Sequence, residues 1–205
     1  QLLLDQLYQK GIRSIGLFWN PNSWFGCGAN ANLIPQQDSG LTPAGKELLS
    51  YLSEKKLLLD FAHSSWQSLA DGLAIAPKPI FVSHTACWQL CQHKRNLTDL
   101  QLRQIAQQEG IIGITFVPEF LTSCPQEANL NHVVQHIIHA VHIAGIEHVA
   151  LGSDFDGTEQ LPQGLQGIED MPQLSEALKK AGFHPREMEY IMGKNWLHFL
   201  QAQLE

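Results

Sequence analysis

The chain predicts an α/β fold of the (β/α) barrel type, and three observations carry that expectation. Five short apolar runs recur along its 205 residues, with helical patterns between them. Each run is almost continuously apolar rather than alternating, as in strands buried on both faces of a parallel sheet. Three of the runs close on a side chain capable of metal or proton chemistry, and in a barrel such chemistry gathers at the C-terminal ends of the strands. A doubly wound open sheet gives the same alternation and stays open as the second architecture.

The elements follow in order. The opening QLLLDQLYQKG reads as the middle of a helix, with no initiator Met and no cap, so the natural N-terminus is expected upstream. Strands are expected over 14–19 (SIGLFW), 57–63 (LLLDFAH), 79–85 (PIFVSHT), 111–117 (IIGITFV) and 148–154 (HVALGSD). Residues 20–40, rich in Asn, Gly and Pro, read as a long loop over the strand ends. Thr42-Pro43 then opens a helix with a cap and a proline at the first helical position, and Leu48, Leu49 and Leu52 give it an apolar face. Trp66, Leu69 and Leu73 supply the next apolar stripe at i, i+3 and i+7. Thr98 and Gln101 form a capping box for a third helix, expected to end at Gly110. A fourth runs over 133–143 and stops at Gly145, and the C-terminal region is expected to carry at least one more, around 188–203. No repeat, low-complexity tract or linker divides the chain, so 1–205 reads as one domain.

Composition narrows the function classes. Hydrophobic residues make up 44% and charged residues 16%, enough apolar material for a sizeable core. The net charge is −7 and the one basic cluster is His93-Lys94-Arg95, which argues against a nucleic-acid partner. No apolar run reaches the roughly 18–20 residues of a membrane span. Cys27, Cys87, Cys91 and Cys124 show no zinc-binding C-x-x-C pairs and read as reduced thiols of a cytoplasmic, bacterial protein. With the natural N-terminus upstream, a secreted or periplasmic origin stays open.

The strand ends carry the chemistry. LLLDFAH ends in His63, IFVSH places His84, and VALGSD places Asp154. Alone, a strand-end His is an ordinary hydrogen-bonded residue and a strand-end Asp an ordinary cap. Two imidazoles and a carboxylate at equivalent positions of three strands are instead what a hydrolytic zinc site needs. Neutral imidazole is a good zinc ligand, zinc acidifies water, and a carboxylate takes up the proton. Ten histidines are also more than this length requires. His132, His136, His139 and His142 fall on one helical face, expected to be the polar outer face of a helix whose Val134, Ile137, Ile138 and Val141 pack inward. Trp24, Phe25 and Cys27 read either as pocket lining or as loop packing.

The segments GLTPAGKELL, LLLDFAHSS, PIFVSHTA, KRNLTD, GITFV, HIIHAVHIAGIEHVALGSDFDG and GKNWLHFL together resemble the membrane (renal) dipeptidase family, zinc peptidases of the amidohydrolase superfamily. The resemblance implies a (β/α)8 TIM-type barrel of which this chain supplies the last five strands. It implies that water activated by zinc hydrolyses a dipeptide, with two ions in the complete family site and the His63–His84 pair serving one of them. Asp154 matches the acidic residue that handles the proton, and Arg95 the arginine that receives the substrate carboxylate. Trp19 stands where better-known members carry a carbonyl-polarising histidine, and Asn20 beside it is expected to substitute as an oxyanion donor; both are taken as substrate-binding. Asp156 is left to orient its loop. Cys91 and Cys124 match a disulfide pair of secreted animal relatives. The family's His-x-Asp motif and bridging glutamate precede the region matched here, so the 205 residues alone are expected to be inactive, and to aggregate or pair with another chain. A homodimer, a lactone or other amide as substrate, and a non-catalytic remnant of the barrel are the remaining expectations.

Overall fold

The computed structural model describes residues 2–55, 57–76 and 79–204. All five expected strands form, each shorter than its apolar run: β1 Ser14–Gly16, β2 Leu58–Asp60, β3 Phe81–Thr85, β4 Ile111–Ile114 and β5 Val149–Leu151. They pair in parallel in the order β1-β2-β3-β4-β5. Among these five strands the order shows no switch point, the place where a doubly wound sheet reverses.

The helices lie where their caps put them. α1 is Leu2–Gln9. α2, Pro43–Glu54, starts at Thr42, whose side chain accepts from the Gly45 N–H, and α3, Trp66–Ile75, is capped in the same way by Ser65. α4, Asp99–Gln107, carries the Thr98–Gln101 capping box. It does not run to Gly110. The chain reverses at Glu109 (φ 57), whose N–H returns to Ala106 O while the Gly110 N–H returns to Ile105 O, so glycine follows the left-handed residue instead of being it. After the short α5, Pro118–Leu121, α6 spans Leu130–Ala144 and stops at Gly145 (φ 94). α7 is Met171–Lys180. The helix expected over 188–203 is two: α8, Pro185–Glu189, and α9, Asn195–Leu204, joined by a widened turn in which Gly193 leaves helical geometry.

From β2 to β5 the sheet is largely buried on both faces, which is why those strands read as unbroken apolar runs, whereas β1 at the edge leaves Ser14 and Gly16 exposed. Leu57, Leu59, Val82, Ile112, Ile114 and Val149 join the main core with the flanking helices. Leu58, Phe81, Ile111 and Ala150 point the other way and pack on Phe199 and Trp196 of α9. Trp196 Nε1 donates to Leu151 O (2.9 Å) and Asn195 Nδ2 to Val149 O (2.8 Å), so the segment GKNWLHFL ties the C-terminus to β5.

One expectation fails here. His136 is not on the outer face of α6: it is 1% exposed, whereas Ile138 is 42% exposed. Its ring accepts from the Cys87 N–H at Nδ1 (3.0 Å) and donates from Nε2 to Leu121 O (3.0 Å). Two backbone groups that α6 would otherwise bury without partners are thus satisfied by one imidazole. All four cysteines are free, Cys91 being buried and Cys124 exposed, so the pairing that the family resemblance suggests is not formed and the reading of reduced thiols holds.

Candidate active site

At and just beyond their C-terminal ends, the strands aim side chains into a cavity of about 540 Å³. Its lining includes Trp19, Asn20, His63, His84, Arg95 and Asp154, which brings together every residue selected from the sequence. Trp24, Phe25 and Cys27 are not part of it: Trp24 is 81% exposed and Cys27 is buried in loop packing. Asp156 lies exposed outside the cavity.

Local geometry sets each direction. His63 (φ 67) and Asp154 (φ 60) are two of three non-glycine residues with positive φ among those described. Such backbone costs of order 1–3 kcal/mol per residue and concentrates at functional sites, where the surrounding structure enforces it. His84 is placed differently. Val82 pairs with Ile112 but Thr85 with Ile114, so β3 carries one extra residue at Ser83-His84, and such a bulge re-aims a side chain. Gly113 and Gly152 make room for it, because a Cβ on either would overlap the Ser83 carbonyl.

The two imidazoles meet edge on, with Nε2 of His63 and Nε2 of His84 3.0 Å apart. Two nitrogens bound tetrahedrally to one zinc at about 2.0–2.1 Å stand roughly 3.3 Å from each other, so the pair is already spaced for one ion. Both rings are neutral near pH 7. Burial, then Arg95, then His84 push His63 down to about 3. Burial, then Arg95, take His84 to about 4. The His84 Nε2–Asp154 Oδ2 approach of 3.9 Å is therefore no ion pair at neutral pH. Burial raises the Asp154 carboxyl above its ordinary value, and Arg95 opposes the shift.

Arg95 is 7% exposed, and burial lowers its guanidinium to about 10, so it keeps its charge. Nη1 donates to His63 Nδ1 (2.6 Å), and the group lies 5.1 Å from the centre of the Phe120 ring. Trp19 stacks on His63 with ring centres 4.2 Å apart and is itself 66% exposed. Asn20 turns its Oδ1 to His63 Nδ1 (3.0 Å), not to the open cavity.

Asp60 escaped sequence reasoning. It ends β2 behind the site and accepts from the Ala62 N–H (2.9 Å) and the Ser83 N–H (3.0 Å). Burial raises its carboxyl, and these hydrogen bonds oppose the rise. A charge inside the run LLLDFA was the available signal. Ser83 Oγ in turn lies 2.8 Å from His84 Nδ1.

Among the described residues no three His, Cys, Asp or Glu side chains converge on one point. The donor set thus fits part of a metal site: two neutral imidazoles, correctly spaced, with their outer nitrogens engaged.

The profile of the membrane dipeptidase family (peptidase family M19) matches residues 2–204. A Klebsiella pneumoniae protein encoded in the 5′ region of pqqA is 35% identical over 203 residues, covering 97% of this chain and 74% of that one. A dipeptidase of Schizosaccharomyces pombe is 29% identical over 197 residues, 95% of this chain and 47% of that one. Among solved structures, a metallopeptidase from Rhodobacter sphaeroides, liganded with a phosphinate mimic of the dipeptide L-Ala-D-Ala, superposes with a TM-score of 0.91 at 28% identity. That match covers 98% of this chain and 58% of the Rhodobacter chain.

Proposed function

The chain belongs to the membrane dipeptidase family, and from that premise we propose that the protein is a zinc-dependent dipeptidase whose site includes His63, His84, Arg95 and Asp154. The observation that carries the reading is the facing Nε2 pair at 3.0 Å, with a buried arginine and a raised carboxyl in the same cavity. His63 and His84 would hold one of the two zinc ions of the complete family site. Zinc supplied there polarises a carbonyl and brings the pKa of water down to about 7.

The chain's own groups do the rest. Arg95 receives the free carboxylate of the dipeptide, for which a guanidinium fork is suited by shape and charge. Asp154 accepts the proton given up by the attacking water and returns it to the leaving amine. The exposed indole of Trp19 forms a wall of the cavity against the substrate side chain. The five parallel strands are read as the last five of an eight-stranded barrel, a reading supported by the superposition on 58% of the Rhodobacter chain.

The test is metal content together with hydrolysis of a dipeptide panel by the full-length protein. Zinc at stoichiometric level and zinc-dependent release of free amino acids are expected. Lactone or amide hydrolysis without dipeptide cleavage would replace the proposal, and a zinc-loaded protein inert toward all of these would end it.

A further inference from the structure

We propose that Asn20 is a positioning residue that sets His63 as a metal ligand, in competition with Arg95, so that cation binding at the histidine pair releases Arg95 into the cavity. The inference rests on the zinc-site reading above and follows from counting protons around two rings.

A guanidinium only donates, and Arg95 Nη1 lies 2.6 Å from Nδ1 of His63, so that nitrogen is a lone pair. A neutral imidazole carries one N–H, so the proton of His63 is on Nε2. It is given to Nε2 of His84 across 3.0 Å, and that nitrogen is therefore a lone pair. The one N–H of His84 is then on Nδ1, and Ser83 Oγ accepts it at 2.8 Å. The series Arg95, His63, His84, Ser83 closes with the proton of each ring placed. Asn20 Oδ1 is left over: an acceptor 3.0 Å from Nδ1 with no proton between them.

A cation shared by both Nε2 atoms needs a lone pair on each. His84 already offers one, its proton lying on Nδ1 against Ser83 Oγ. His63 does not, so its proton has to move from Nε2 to Nδ1. There it meets Asn20 Oδ1 at hydrogen-bond distance, the outer hydrogen bond that fixes ring orientation and tautomer in metal-ligating histidines. The same proton expels Arg95, which has no atom able to accept it. The guanidinium suited to a substrate carboxylate is thus held by His63 in one tautomer and released by the other.

Long-range 1H–15N spectra of the full-length protein read the tautomer of His63. Nε2–H is expected without zinc and Nδ1–H with zinc; Nδ1–H in both states would overturn the competition with Arg95. Zinc affinity from chelator competition supplies the second readout. Asn20→Leu is expected to weaken zinc binding about 10–100-fold, and Asn20→Asp, which keeps the acceptor, to restore it. Unchanged affinity in a folded Asn20→Leu protein would sink the role of Asn20. If that variant does not fold, the spectra of the unsubstituted protein decide the matter. His63→Ala separates the two readings. Loss of zinc in His63→Ala with none in Asn20→Leu rejects only this inference, whereas full zinc binding by His63→Ala rejects the site itself.

Discussion

Asp154 and His63 both sit in left-handed backbone, and that choice shapes what can replace them. Asn adopts this conformation nearly as readily as Asp, so Asp154→Asn keeps the turn and removes only the carboxylate proposed as the proton acceptor. We expect kcat for a dipeptide to fall by roughly 10²–10⁴ with zinc content unchanged, since Asp154 is not one of the facing ligands. The pH profile has a definite sign. Asp154 must be ionised to accept a proton, and burial raises its carboxyl above the ordinary value of 3.8. Activity should therefore fade on the acid side at a higher pH than an unperturbed aspartate would give, and a kcat/KM limb at or below 3.8 would contradict the assignment. Arg95→Met should act on binding. The loss of hydrogen bonds to a charged group, worth about 1.5–3 kcal/mol each, raises KM by roughly ten- to a hundredfold or more, while kcat at saturation changes far less.

At the scale of elements, β3 and α6 meet through His136. The imidazole pairs the Cys87 N–H, just beyond β3, with Leu121 O at the end of α5. His136→Leu keeps the bulk and strands both groups, at about 1–3 kcal/mol for each, so urea unfolding should show a loss of a few kcal/mol. His136 is also held at about 4, below its ordinary 6.5, chiefly by burial. A histidine depressed on folding stabilises the protein above its unfolded pKa, and that stability drains away as pH falls from about 6.5 toward 4. His63, His84 and His93 are depressed in the same direction. Unfolding midpoints should therefore drop steeply across this window, and His136→Leu should flatten part of the slope. A slope equal to that of the unsubstituted protein would remove His136 from the account.

At the scale of the whole molecule, the site joins distant parts of the chain. Asn20 opens the loop after β1, His63 follows β2, His84 lies in β3, Arg95 follows β3, and Asp154 follows β5. A ligand bound only by the folded form stabilises it by mass action, by about 2.7 kcal/mol at a hundred times its Kd. Zinc should accordingly raise the melting temperature of the full-length protein, a chelator should lower it, and the shift should vanish in a His63→Ala, His84→Ala double variant. No helix among the described residues is long and apolar enough to cross a membrane.

The sequence by itself determined the strands, their parallel pairing and most helix boundaries. Continuous apolar runs and capping residues are local signals, and Thr42, Thr98 and Gly145 act as their chemistry dictates. It also determined which side chains reach the cavity, because strand ends in such a fold share one face. Only the tertiary structure decided how those side chains are held. The extra residue in β3, the inward turn of His136 and the pairing of Asp60 with Ser83 all depend on neighbours distant in sequence. Asn20 was read as an oxyanion donor from its position beside Trp19, yet its oxygen faces the outer nitrogen of His63. A hydrogen bond belongs to two groups at a fixed distance, and spacing along the chain records only one of them.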